Sequence, residues 1–156
     1  MDTKSFAGPR AFARHMLRDG RLQIRPIVDQ IMTFRGSAIE TVLFREGCWQ
    51  IELVSIVPGA TAEKHRHLRC SSADLILNGL VNGYVGGRTI PSQPKRGSMI
   101  ANLVTIGRGE WHGGTSGLGG GITGIGGGLV YLSFQQWEGT PTFVSEDWEG
   151  ENEGQS

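Results

Sequence analysis

The sequence predicts an all-β protein, a closed barrel or double sheet with a short helical segment at its head. From Ile39 onward apolar residues alternate with polar ones in short runs, the period of half-buried strands. Each run stops at Gly, Pro or Asn, the residues that turn a chain, and 25 glycines and 6 prolines supply them. Helical periodicity is confined to the first 35 residues. Many short strands and few helices suit a barrel or a pair of packed sheets.

Taken in order, residues 9–19 read as a helix: Pro9 suits the first turn, Phe12/Met16 and Ala13/Leu17 pair at i,i+4, and Gly20 is a stop. Pro26–Met32 carries Ile27, Val28 and Ile31 on one side and reads as a second short helix or a strand. Residues 1–35 are therefore expected to form a basic helical arm or outer layer, with His15 solvent-exposed between arginines. Thr41–Arg45 and Trp49–Val57 are predicted strands joined at Glu46-Gly47, with Trp49, Ile51, Leu53 and Val57 on one face. Pro58-Gly59 ends that run, and His65 and His67 fall on the next short strand. Ser72–Leu77 and Leu80–Val85 flank Asn78-Gly79, a strong hairpin signal. Gly86-Gly87 opens a polar loop, Arg88–Gly97; Met99–Ile106 and Gly128–Gln136 are the remaining strands. Gly113–Gly128 holds ten glycines in sixteen residues and lacks a phosphate-loop ending, so it reads as a hairpin tip, an assembly contact or a disordered flap.

At 156 residues one domain is expected, and its zero formal charge conceals an asymmetry. Seven of the fifteen Lys/Arg lie in residues 1–35, and none follows Arg108. Glu146, Asp147, Glu149, Glu151 and Glu153 make an acidic tail over residues 146–156. The ends read as two solvated termini, or as arms that attract each other within or between copies. The basic head lacks a nucleic-acid reading motif, so nucleic acid is not an expected partner. Cys48 and Cys70 have neither CxxC spacing nor companions, which argues against a zinc ribbon or disulfide scaffold. No signal peptide or bilayer-length apolar run is evident, so a protein made in a reducing cytosol, with no membrane partner, is expected.

His65-Arg66-His67 is the chemically informative stretch. Two histidines one residue apart on a strand share a face and can bind one metal ion together. The same spacing also fits a hydrogen-bonded pair inside a barrel.

Around this pair the chain resembles the cupin superfamily. The first cupin motif, G(X)5HXH(X)3–4E(X)6G, is matched in spacing by Gly59, His65, His67, Ser72 and Gly79, with Ser72 where the metal-binding glutamate stands. Of the second, G(X)5PXG(X)2H(X)3N, Gly109 and His112 remain, while Ala101, Gly107 and Ser116 replace its glycine, proline and asparagine. The resemblance spans roughly residues 36–140. It implies a cupin-type double-stranded β-helix, a jelly-roll barrel over residues 36–145 with the glycine-rich loop 113–128. His65, His67 and His112 would converge inside it on a divalent transition metal (Fe, Zn, Mn or Ni). Glu63 and Asp74, by strand parity, are candidate additional ligands in place of the missing acid. Ser72 and Trp111 are expected to line the pocket, with Trp49 a further candidate.

A second, narrower likeness is to small cupin-like proteins of tailed bacteriophages. It rests on Trp49–Gly59, the three histidines, Leu132–Trp137 and Val144–Gly150. With the degenerate metal motif and charged ends, it implies a structural or interaction protein, a homo-oligomer built into an assembly such as a phage particle. Residues 1–35 and 146–156 would touch the partners, and the protein would pass from the cytosol into a virion. The alternatives are a metal-dependent cupin enzyme, three-histidine dioxygenase-like or sugar-modifying, with Glu63, Asp74 or Glu110 as acid–base partner, and a small-molecule-binding barrel.

Overall fold

A computed structural model describes residues 5–18, 38–91, 99–117, 128–141 and 148–150. Among the described residues one α-helix, α1 (Pro9–Arg18), precedes ten strands. These are β1 (Ala38–Glu46), β2 (Trp49–Ile56), β3 (Thr61–His67), β4 (Cys70–Asn78), β5 (Leu80–Val85), β6 (Arg88–Thr89), β7 (Leu103–Ile106), β8 (His112–Ser116), β9 (Leu129–Trp137) and β10 (Trp148–Gly150). They form two five-stranded antiparallel sheets, ordered β1-β2-β9-β4-β7 and β10-β3-β8-β5-β6. The all-β jelly-roll class expected from the sequence is the one observed.

Period-two alternation decides which side chains face which way. In the first sheet Ile51, Leu53, Ala73, Leu75, Leu132 and Phe134 point outward and are buried beneath α1, whose Phe12, Ala13 and Met16 fit onto them. The helix crosses β4, β9 and β7. Phe6, Phe12, Phe44, Trp49 and Phe134 build an aromatic cluster here, with ring centroids 5.1–6.0 Å apart for Phe6–Trp49, Phe12–Trp49, Phe12–Phe44 and Phe12–Phe134. Arg10 ties the helix down by donating to the carbonyls of Leu103 and Ile100. Over its described part, the head of the chain is thus one wall of the principal apolar core. His15 departs from its expected exposure: it is half-buried, its ring 5.2 Å from Phe6. The Pro26–Met32 element lies outside the described residues.

The turn residues do their work, though not always as hairpins. Glu46-Gly47 joins the β1–β2 hairpin as expected, Gly47 at φ 59°. Asn78-Gly79 does not make a hairpin, because β4 and β5 lie in different sheets and do not pair. It is the corner where the chain crosses between sheets. Gly79 has φ 76°, and a Cβ there would collide with the Gly128 carbonyl. Tight backbone approach and left-handed φ, not hairpin closure, call for glycine. Pro58-Gly59 makes another such crossing, which leaves Val57 exposed past the end of β2.

Three expected boundaries change. Met99–Asn102 is a 3-10 turn, and only Leu103–Ile106 is strand. The glycine-rich stretch begins inside β8, since Gly113 and Gly114 are strand residues. A Cβ on Gly114 would press on Leu80 and Gly83, so the small residue lets β5 and β8 lie close. Within the acidic tail, Trp148–Gly150 adds a strand to the edge of the second sheet by pairing with β3. Cys48 and Cys70 are free thiols, and among the described residues no helix is long and apolar enough to cross a membrane.

Candidate metal centre

Between the sheets lies a cavity of about 250 Å³. Its two walls differ in chemistry, and each follows from strand register.

On the second sheet β3 turns His65 and His67 inward, and β8 sets His112 directly opposite His65. The ring centroids are 4.1 Å apart for His65–His112, 5.2 Å for His65–His67 and 5.3 Å for His67–His112. One ring nitrogen from each lies within 4.8 Å of the others. His112 Nδ1 is 2.9 Å from the Glu110 carbonyl oxygen. A carbonyl only accepts, so Nδ1 carries the proton and Nε2 keeps the lone pair. Such an outer hydrogen bond is what orients metal-ligating histidines. Burial, reinforced by the other imidazoles, lowers the pKa of His67 to about 3. Burial and the charge of His65 lower that of His112 to about 4, against a smaller opposing effect of the Glu110 carbonyl. Both rings are neutral near pH 7, the state a metal ligand needs. Two neutral imidazoles converging with His65 suit a divalent transition metal.

The facing wall belongs to β2, β9 and β4. Glu52 pairs with Ser133 and Ser133 with Asp74, so the three make one row across the sheet. The adjoining row is Gln50, Gln135 and Ser72. Gln135 is its hub: Nε2 donates to Glu52 (2.8 Å) and Ser133 (3.2 Å), while Oε1 accepts from Gln50 (3.0 Å) and Trp137 Nε1 (2.8 Å). Burial raises the Glu52 pKa against the Gln135 hydrogen bond. Burial also raises Asp74, to about 6, with the Ser133 and Ser72 hydroxyls opposing and the charge of Glu52 adding to the rise. Asp74 is 8% exposed, and among the described residues its Oδ1 has no hydrogen-bond partner. Tyr131 also lines this wall, and burial with the nearby carboxylates raises its phenol well above the ordinary value.

The expected site residues separate cleanly. Ser72 lines the cavity and, standing for the motif's glutamate, brings no charge to it. Asp74 lines it too, on the wall facing the histidines, and does not join the three-nitrogen donor cluster. The register of β3 shifts between Ala62 and His65, and the side chain of Glu63, the other candidate ligand, lies outside the described residues. Trp111 does not line the cavity: Arg66 stacks over its ring at 4.6 Å and Lys64 at 5.5 Å. Glu110 is turned away as well, accepting from Gly107 N at 3.0 Å and lying 3.5 Å from Arg88. Trp49 is buried with α1 on the far face of its sheet.

Glu52, Gln135, Ser133 and Tyr131 are among the cavity residues that sequence reasoning missed. Their signal was present: polar residues alternate with apolar ones along β2 and β9. That pattern normally marks a solvent face. Here both strands sit inside the sheet with a helix behind it, and the polar face looks into the barrel.

No protein-family model matches the chain, and no curated protein does. Solved structures do match. An uncharacterised conserved protein with a double-stranded β-helix domain from Klebsiella pneumoniae is 14% identical with a TM-score of 0.51, covering 79% of this chain and 92% of that one. A cupin-2 domain from Rhodospirillum rubrum is 20% identical with a TM-score of 0.49, covering 71% and 68%. KdgF from Halomonas sp. is 13% identical with a TM-score of 0.48, covering 67% and 84%. At these identities the likeness concerns the fold alone. The chain has a double-stranded β-helix architecture.

Proposed function

We propose that this protein is a metal-dependent barrel in which His65, His67 and His112 hold a divalent transition metal at one wall of the cavity, where a small organic molecule binds and reacts. The observation that supports this most is the convergence of three imidazole nitrogens within 4.8 Å, in a cavity whose opposite wall is polar and buried. When bound, such a metal supplies Lewis-acid polarisation of a ligand oxygen at its open positions. The chain supplies the rest. The Glu110 carbonyl keeps His112 in the tautomer that presents Nε2. Apolar residues such as Val54, Ile76, Val104 and Ile106 line the cavity and offer a surface for a carbon skeleton. Asp74, with a pKa of about 6, gains or loses a proton near neutral pH, as a general acid–base must.

The reading as a structural component of an assembly, a phage particle for example, depends on residues 1–35 and 146–156. Pro9–Arg18 and Trp148–Gly150, the described elements of those segments, pack on the chain's own barrel, so this reading takes second place. Elemental analysis decides the first. Native or reconstituted protein is expected to carry about one equivalent of a transition metal, and His65→Ala or His112→Ala to lose it. Less than about a tenth of an equivalent, unchanged by either substitution, removes the metal-dependent reading.

A further inference from the structure

The wall opposite the imidazoles has features that a metal centre alone does not require. Asp74 is buried, lines the cavity, receives the Ser72 and Ser133 hydroxyls, and still has an Oδ1 with no partner among the described residues. Leaving a buried acceptor unmade is costly, and such groups in native proteins call for an explanation. Among the described residues no Lys or Arg lines the cavity. We infer that this wall is a recognition surface for an uncharged, polyhydroxylated small molecule of monosaccharide size or smaller, with one ligand hydroxyl donating to Asp74 Oδ1.

The chemistry of the two walls narrows the class. Asp74 Oδ1 asks for a hydrogen. The imidazole wall, carrying a metal, asks for a lone pair; this half rests on the metal-centre reading above. An ammonium group brings hydrogens and no lone pair, and a carboxylate brings lone pairs and no hydrogen. Neighbouring hydroxyls bring both. A carboxylate ligand would also be pressed against the carboxyls of Glu52 and Asp74. The Tyr131 phenol and the Ser133 hydroxyl, able to donate or accept, suit further hydroxyls, while Val54, Ile76 and Val104 suit a carbon skeleton. A volume of about 250 Å³ sets the size, below that of drug-sized pockets.

The test uses the full chain, metal-loaded and metal-stripped, with four probes: meso-erythritol, D-ribose, succinate and 1,4-diaminobutane. Binding is followed by saturation-transfer NMR and titration calorimetry. Erythritol or ribose is expected to bind wild type, at least about tenfold more weakly to Asp74→Leu, and with a smaller loss to Asp74→Asn, which keeps an oxygen at that place. Thermal unfolding of both variants checks their fold, and the near-isosteric asparagine keeps the experiment decisive if leucine is not tolerated. Preference for succinate or diaminobutane, polyol binding indifferent to both substitutions, or no binding by any probe would overturn the inference. Failure to load metal strikes the proposed function instead. In that event Asp74-dependent polyol binding to the metal-stripped protein still supports the recognition surface.

Discussion

The two faces of the β1-β2-β9-β4-β7 sheet come from the same strands and could hardly differ more. Outward lie Ile51, Leu53, Leu75, Leu132 and Phe134 under helix α1; inward, one residue along each strand, lie Glu52, Asp74, Ser133 and Gln135. Folding free energy comes chiefly from the outer face, where apolar area leaves water. The inner face buries carboxyls and amides whose desolvation works against folding and is only partly offset by hydrogen bonds. The barrel has moved much of its core outside itself and left its interior to chemistry.

Breaking the outer face should have the largest effect. Phe134 is fully buried against Phe12, and Phe134→Ala is expected to cost about 3–5 kcal/mol in urea denaturation while leaving metal stoichiometry unchanged in the folded fraction. A cost below about 1 kcal/mol would mean that the helix–sheet contact is not the main core.

The inner face should respond with the opposite sign. The Asp74 pKa is about 6 in the folded protein against an ordinary 3.8, so the protonated acid favours folding fully below pH 3.8, and that contribution is lost as pH rises through about 6. Asp74→Asn removes the penalty of the buried charge. It should stabilise the protein by on the order of 1–3 kcal/mol at pH 8 and by little at pH 4. His67 and His112 titrate in the other sense. Lowered to about 3 and about 4 from 6.5, they leave the unfolded chain binding more protons below pH 6.5. Metal-free Asp74→Asn should therefore lose stability as pH falls from 6.5 towards 4, and more steeply than wild type, in which Asp74 opposes the fall. Denaturation midpoints across pH 4–8 check both slopes, and an Asp74→Asn effect independent of pH would show that Asp74 is not a buried acid.

The smallest effect belongs to neither face. Arg66 and Glu149 meet at 2.7 Å on the outside of the other sheet, both about a third exposed. Glu149→Ala should cost less than about 1 kcal/mol, and addition of salt to wild type should mimic part of it.

Much of this was legible in the sequence. Strand parity, a local property, pointed to the His65/His67 pair, and the resemblance to cupins around it implied the fold and the convergence of His112 with that pair. What was not legible depends on long-range context. Asn78-Gly79 has hairpin chemistry, yet its flanking strands join different sheets, and no local signal distinguishes a corner from a hairpin. Gln135 and Glu52 gave no signal of their own, since alternation tells that a strand has two kinds of face but not which one meets water. The edge strand Trp148–Gly150 is three residues long and sits among acids, too short for any period to register.

β9 holds the middle of the helix-backed sheet, hydrogen-bonded to β2 on one side and β4 on the other, although both precede it by more than fifty residues. While the ribosome is still making the chain, β2 and β4 each wait with an unsatisfied edge until residues 129–137 emerge. Nascent chains stalled before that point would carry open strand edges that invite pairing with other chains. The protein's hazard during synthesis is therefore greatest just before its last long strand arrives, and a holding chaperone would be needed most in that interval.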